Sequence, residues 1–500
     1  MPSLSGPRVL LIGLDAADPA LLVEWARADR LPVLGELIGK ALVAELEDLP
    51  GLWTGAVWPS LITGASPTHH GYYHYHDYDP LSYATAPFVE RGYPVAPFWE
   101  TLSRTGKRVA VLDVPLAPLS ESLPRGLQLV DWAVHEPEGP ARSLPADLAS
   151  SLIERFGSDR VGQCDFGGRG PTDLGVFRDG LVDRVRARKE LTRHVMKQGS
   201  WDLVVSVFSE THCVGHQCWH VHDPGHPMHE PETRRLVGDP VLEVYQAVDQ
   251  AVGELLEHGR DETDVLIVAS HGMGQSFRAH FLLDRVLQRI EGTRARGSRL
   301  FNLLYRGWRQ LPATWRSALR PAGSRARKSL GAAARRNRRS FELNTHCGYG
   351  AIRVNLEGRE AEGKVAAGDF ERYCDELTLR LRELTDPASG QPVVRRVLRT
   401  ADHYERTPTD VLPDLIVEWE RDLDAVAVFS PRLGQVKAVA QAAFPNRTGD
   451  HRPSGGLLLR IGPGTAPRTL ARPASVMDVA PTVFEALNMD AGGFEGRPIA

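Results

Sequence analysis

The 500-residue chain has little cysteine: five residues, an odd number, at Cys164, Cys213, Cys218, Cys347 and Cys374. Only Cys213 and Cys218 are neighbours, and no CxxC pair occurs. A disulfide-stapled scaffold and a thiolate zinc cage are thereby excluded. No apolar run approaches the ~18 residues that cross a bilayer. The opening, MPSLSGPRVLLIGLDAADP, carries too short an apolar stretch for a signal peptide. These absences lead us to expect a cytoplasmic protein. Net charge is also small, 59 Lys+Arg against 63 Asp+Glu for −4, so global charge gives no argument for a polyanionic partner. No nucleic-acid-binding module is evident. What is present, 42% hydrophobic and 24% charged residues, suffices to bury a large core and excludes a disordered chain.

Short apolar runs recur along the chain, bounded by Pro, Gly or Asp: VLLIGL from Val9, RVAVLDV at 108–114, WDLVVSVF at 201–208 and DVLIVAS at 264–270. A helical pattern over 19–40 follows the first, an apolar stretch at 41–48 comes next, and helix-like segments precede the third and fourth. Repeated strand-then-helix order predicts a mostly parallel sheet covered by helices on both faces, an α/β fold. Later strand candidates are 350–356, 414–419 and 456–462, with a last helix over 478–488.

Residues 291–340 differ: fourteen Arg and Lys against the single acid Glu291, a local charge of +13 that leaves −17 for everything else. Leu300, Leu304, Trp308, Leu311, Trp315 and Leu319 fall on one helical face, interrupted at Pro312. We expect a basic amphipathic insertion, acting as a lid or as an element that rests on an anionic membrane surface.

The residues with chemistry sit where strands end, the place where ligands gather in open α/β sheets. Asp15 closes the first strand, His212 and His216 follow WDLVVSVF, His271 follows DVLIVAS, and His451 precedes GLLLRIG. Each His alone reads as a solvated or core residue. Together, imidazoles and a carboxylate suit zinc or a similar divalent ion. The His-rich run WHVHDPGHPMH (219–229) reads as a solvated loop, and HHGYYHYHDYDP (69–80) as half-buried aromatic packing or a stacking surface.

TGAVWPSLITGASPTHHG at 54–71 resembles the alkaline phosphatase superfamily, within it the type I phosphodiesterase/nucleotide pyrophosphatase family, whose nucleophile lies nine residues before a Thr-Gly. Thr54 holds that position before Thr63-Gly64; from the residues alone a helix N-cap Thr explains it equally. GLDAAD (Asp15), ASHGMG (His271), TGDHRPSGG (His451) and the closing SVMDVAPTVFEAL are similar to further family motifs. The resemblance implies one alkaline-phosphatase-like domain from 1–290 and 341–500. It also implies one or two divalent ions, zinc first, and a small phosphate-ester substrate hydrolysed through a phosphothreonine on Thr54. Two departures stand out. His212 replaces the family's first metal-binding Asp, and Ser270 replaces another. The implied sets are then His212, His216 and His451 for one ion, and Asp15, Thr54 and His271 for the other, with Glu210 and Asp450 placed to restore charge or orient imidazoles. The alternative is a catalytically degenerate member that binds phosphate groups or anionic membranes. No CxPxR motif surrounds Thr54, which argues against a sulfatase. The motifs leave open which phosphate or phosphonate ester is cleaved, and the oligomeric state.

Overall fold

Runs that are apolar on both faces become strands buried on both faces. All six residues of Val9–Leu14, of Leu203–Phe208 and of Asp264–Ala269 are buried in the computed structural model. The structure describes residues 6–88, 93–135, 137, 139–159, 161, 170–259, 262–276, 282–292, 331–345, 348–406, 411–421, 423, 425–437 and 447–500. The expected amphipathic helix of 291–340 therefore lies almost wholly outside the described residues. The chain divides into two compact units, one of residues 1–70, 93–276 and 443–500, the other of 71–92 and 277–442.

The first unit holds a ten-stranded sheet. Its middle is parallel: Asp264–Ala269, Val9–Leu14, Leu203–Phe208, Val109–Leu112 and Gly126–Val130 lie side by side in that order. Gly456–Ile461 runs antiparallel between Asp264–Ala269 and Leu42–Glu47, and Arg142–Leu144 runs antiparallel at the far edge. Register positions the chemistry. Leu14 pairs with both Phe208 and Ala269, so residues 15, 209 and 270 leave the sheet at one level.

Proline starts the flanking helices. Pro19, Pro32, Pro171, Pro231 and Pro240 each open a helix, where the missing N–H costs nothing and the fixed φ is already helical. For the same reason the pattern at 19–40 is two helices, Pro19–Arg27 and Pro32–Lys40, instead of one. Asp18 and Asp239 cap their helices by accepting from the Leu21 and Leu242 amides. Leu10, Ile12, Val204, Val244, Val248 and Val252 belong to the core formed between sheet and helices. Among the described residues no helix is long and apolar enough to cross a membrane, and the described Cys213, Cys218 and Cys374 are buried outside any disulfide.

The second unit is built on a four-stranded antiparallel sheet, ordered Ser340–Leu343, Tyr349–Val354, Leu415–Trp419, Val394–Arg399. Two of the late strand candidates fall here. An apolar run signals burial, not direction, and these two run antiparallel away from the main sheet.

The helix Glu210–His222 and the ribbon strand Gly449–Arg452 approach at a glycine contact. A Cβ on Gly449 would stand 2.1 Å from the Gly215 carbonyl oxygen, and one on Gly215 would stand 2.8 Å from the Met273 side chain. Since the first obstacle is backbone, it cannot swing away. Gly449→Ala should destabilise the protein by about 1–3 kcal/mol in urea unfolding. Gly368→Ala, with nothing within 4 Å of its Cβ, should stay within about 0.5 kcal/mol of the parent.

Candidate metal centre

Asp15 lies one residue past the first strand and is buried to 1% exposure. Both of its carboxylate oxygens are engaged. Oδ1 accepts the Trp58 indole N–H at 2.7 Å, with Ser270 Oγ at 3.4 Å, and Oδ2 lies 2.7 Å from His212 Nδ1. Burial works against its ionisation. The neighbouring His212, first through charge and then through its hydrogen bond, together with His271 and Trp58, outweighs burial and holds the carboxyl well below its ordinary value. Asp15 is therefore an anion that fixes His212 with its Nδ1–H toward the carboxylate and its Nε2 lone pair outward.

Three imidazoles then converge. His212 Nε2 is 2.9 Å from His216 Nε2 and 2.9 Å from His451 Nε2. His216 turns its Nδ1 to the Gly449 carbonyl oxygen at 2.8 Å, which accepts only, so its Nε2 also presents a lone pair. Two bare nitrogen lone pairs at this distance repel. Either a proton or a cation must lie between them. Burial, then the charges of Arg447, His212 and His135, push the His216 pKa well below 6.5, which disfavours the proton. A tetrahedral zinc with bonds of ~2.0–2.1 Å needs ligand nitrogens ~3.3 Å apart, a few tenths of an ångström from the spacing found. The donor set thus fits a divalent ion, with His212 backed by a carboxylate and His216 by a carbonyl.

The remaining expected residues take different places. Ser270 Oγ accepts the Ala16 amide at 3.0 Å and lies 3.0 Å from His271 Nδ1. Where a carboxylate ligand was expected by resemblance, the hydroxyl thus ties Asp15, Ala16 and His271 together. The His271 ring is 4.5 Å from that of His451 and 6.2 Å from that of His212. Glu210 is fully buried, but its Oε1 accepts from Arg184 Nε at 2.8 Å and lies 3.7 Å from Arg188 Nε. Arginines thus answer its charge, and it faces away from a role in restoring charge to the histidines. Asp450 Oδ1 accepts the His451 amide at 2.9 Å and so sets the backbone from which that imidazole projects.

Thr54 is the second residue of the helix Trp53–Thr63, whose N-cap is Leu52, so the N-cap reading of Thr54 does not hold. Its hydroxyl is buried and has no hydrogen-bond partner among the described residues. Trp58, four residues on and hence on the same helical face, is the residue bonded to Asp15. The helix therefore presents Thr54 on the side that meets the strand end.

One cluster member went unnoticed in the sequence. His135 stacks on His212 with ring centroids 3.9 Å apart, and His135, His212 and His216 bring one ligand atom each within 4.8 Å of one another. It follows the strand Gly126–Val130, so the strand-end criterion applied to the run GLQLV would have found it. The run at 219–229 is helical to His222 and then a partly exposed loop, but its histidines are engaged. His220 Nδ1 meets Thr448 Oγ1 at 3.0 Å, His222 meets Asp239 at 3.0 Å, His226 Nε2 meets the Thr448 carbonyl at 3.1 Å and His229 Nδ1 the His220 carbonyl at 2.8 Å. His220 and His226 thus tie this stretch to Thr448, His222 ties it to Asp239, and His229 bonds back to the helix end.

Burial lowers the His271 pKa to about 3, against the opposing pull of Asp15. A histidine depressed in the folded state binds its proton first when unfolded. Stability is therefore lost as pH falls from about 6.5 toward the folded value, by up to ~1.4 kcal/mol per pH unit for each such group. Asp15 adds a loss of the same sign below its ordinary pKa. Urea unfolding of metal-free protein should show a midpoint that falls from pH 7.5 to 5.0, with a shallower fall in His271→Gln. A midpoint independent of pH over this range would contradict the buried neutral cluster.

Comparison with known proteins gives a consistent picture. The model of the type I phosphodiesterase/nucleotide pyrophosphatase family matches residues 9–437. No curated protein sequence matches the chain. Among solved structures, phosphonoacetate hydrolase from Sinorhizobium meliloti 1021 in complex with phosphonoformate is similar at TM-score 0.55 and 14% identity, covering 96% of each chain. An inactive variant of murine ectonucleotide pyrophosphatase/phosphodiesterase 5 in complex with AMP is similar at TM-score 0.52 and 12% identity, over 98% of this chain and 97% of that one. At such identity these structures speak for the fold, which is alkaline-phosphatase-like. The chain belongs to the type I phosphodiesterase/nucleotide pyrophosphatase family.

Proposed function

We propose that the protein is a metal-dependent hydrolase of small phosphate esters, of the phosphodiester or nucleotide pyrophosphate type, with Thr54 as nucleophile. The observation that carries this reading is the buried Thr54 hydroxyl, without a hydrogen-bond partner among the described residues, on the helical face that also presents Trp58 to Asp15. A buried hydroxyl left unsatisfied costs about 1–3 kcal/mol, a cost that a nucleophile's position accounts for. Family membership and two relatives bound to phosphonoformate and to AMP support an anionic phosphorus ligand.

His212, His216 and His451 would hold the ion, zinc by donor type. Asp15, Thr54 and His271 form the second set, weakened because both Asp15 oxygens are already engaged. When bound, the metal supplies Lewis-acid stabilisation of phosphoryl oxygens and lowers the pKa of a coordinated hydroxyl. The first turn of the Trp53–Thr63 helix directs amide N–H groups and the positive end of its dipole at the phosphate. Thr54 Oγ1 loses its proton and bonds to phosphorus as the bond from phosphorus to the leaving alcohol or phosphate oxygen breaks. Water then attacks the phosphothreonine, restores the hydroxyl and releases the phosphoryl product. Asp15 remains an anion throughout and holds the His212 tautomer. The basic segment 291–340 serves in this reading as a lid or as a contact for anionic surfaces.

A second reading, a binding protein without turnover, draws on Ser270 standing where a ligand carboxylate is expected. Bis-p-nitrophenyl phosphate turnover separates the two. Thr54→Ala should lower kcat by at least about 10³-fold with the ion at His212, His216 and His451 retained, and chelation should abolish turnover until zinc is returned. Parent protein that binds metal and does not turn over would favour the second reading. Full turnover in Thr54→Ala would remove Thr54 from the chemistry.

A further inference from the structure

His135 is delivered to the imidazole cluster by a loop that is fixed from behind. Asp113, at φ +57°, ends the strand Val109–Leu112. Its Oδ1 accepts the Trp132 amide at 2.9 Å and its Oδ2 the Ala133 amide at 2.6 Å. Arg188, 1% exposed, donates to Asp113 Oδ2 at 2.8 Å and to the Ala133 carbonyl at 2.9 Å. A charge-assisted clamp inside the protein therefore sets the chain two residues before His135. The ring itself has Nδ1 3.5 Å from Cys213 Sγ, and Arg184 donates to that same sulfur at 3.2 Å. Nδ1 thereby lies on the Cys213 side of the ring. Loop and ring are thus each held by groups that neither the expected ligand sets nor the Thr54 chemistry employs.

Resting on the metal-dependent reading above, we propose that His135 is a fourth imidazole ligand of the ion held by His212, His216 and His451, closing its coordination shell in the resting protein. The geometry that points to it is the shared 4.8 Å neighbourhood of ligand atoms from His135, His212 and His216, with the His135 ring 5.3 Å from that of His216. A common ion at ~2.0–2.1 Å from each nitrogen puts the ligand atoms ~3.3 Å apart, so the widest separation closes by up to about 1.5 Å on binding. An all-imidazole shell contributes no negative charge. The ion keeps its full positive charge, and a phosphoryl oxygen entering the shell displaces His135 or adds as a fifth ligand. A carboxylate in place of His212 would have given part of that charge away.

Stacking on His212 alone is the plainer role for His135, and two variants separate it from ligation. His135→Phe keeps a ring on His212 and removes the nitrogen, whereas His135→Ala removes both. Zinc affinity is measured by competition with a chromogenic chelator, and the visible spectrum of the cobalt-substituted protein reports coordination number. Urea unfolding of each metal-free variant reports the fold. Both variants should bind zinc at least about tenfold more weakly than the parent at an unchanged metal-free midpoint, and in both the cobalt spectrum should shift as a water takes the place of an imidazole. Parent-like affinity and spectrum in His135→Phe would overturn the proposal and leave His135 as a stacking residue. Parent protein that binds neither zinc nor cobalt would overturn the metal-dependent reading, and this proposal with it.

Discussion

The site depends on crowding of nitrogen lone pairs at a place where water is excluded. His212 Nε2 stands 2.9 Å from the Nε2 atoms of both His216 and His451. The Asp15 carboxylate and the Gly449 carbonyl commit the Nδ1 hydrogens of two of these rings elsewhere. Burial disfavours the protons that would otherwise relieve the repulsion. A divalent cation would resolve all three conditions together, and the sheet register brings the contributing segments to one level. Because Leu14 pairs with Phe208 and Ala269, Asp15, the helix carrying His212 and His216, and Ser270-His271 leave the sheet side by side. The antiparallel pair Met273–His451 then brings the last imidazole across.

Two substitutions relative to the family pattern acquire a physical meaning from this geometry. An imidazole at 212 gives up a negative charge while keeping a nitrogen donor, and its Nδ1 lies 2.7 Å from the Asp15 carboxylate that orients it. Ser270 keeps a hydrogen bond to the Ala16 amide and a contact with His271 without adding charge. Glu210 does not compensate, being held by Arg184 beside Arg188. With an ion bound, such a centre would carry more positive charge than one built on carboxylates, in keeping with the proposed phosphoryl substrate.

Much of this was legible in the chain before any coordinates. Apolar runs buried on both faces announce parallel strands, and residues at their carboxyl ends, Asp15, His212, His216 and His271, could be named for that reason. What escaped has identifiable causes. GLQLV at 126–130 is short and carries a Gln, so it did not register as a strand and His135 passed unnoticed. The runs at 350–356 and 414–419 read as strands but not as antiparallel ones in a second unit, since a fully buried strand has the same pattern in either direction. The histidines of 219–229 looked exposed because polar residues near Pro usually are. Their partners, Thr448 and Asp239, are remote in sequence or lie beyond the turn. The asymmetry between the basic 291–340 segment and the acidic remainder was plain from composition alone.

X-ray absorption at the edge of the bound metal tests the central claim most directly, because it reads the ligands themselves. The arrangement of His212, His216 and His451 predicts a first shell of nitrogen and oxygen scatterers at ~2.0–2.1 Å, with the outer-shell pattern of at least three imidazole rings. That pattern should diminish by one ring in His451→Ala. A first shell containing sulfur at ~2.3 Å, or one of oxygen alone without imidazole scattering, would contradict it.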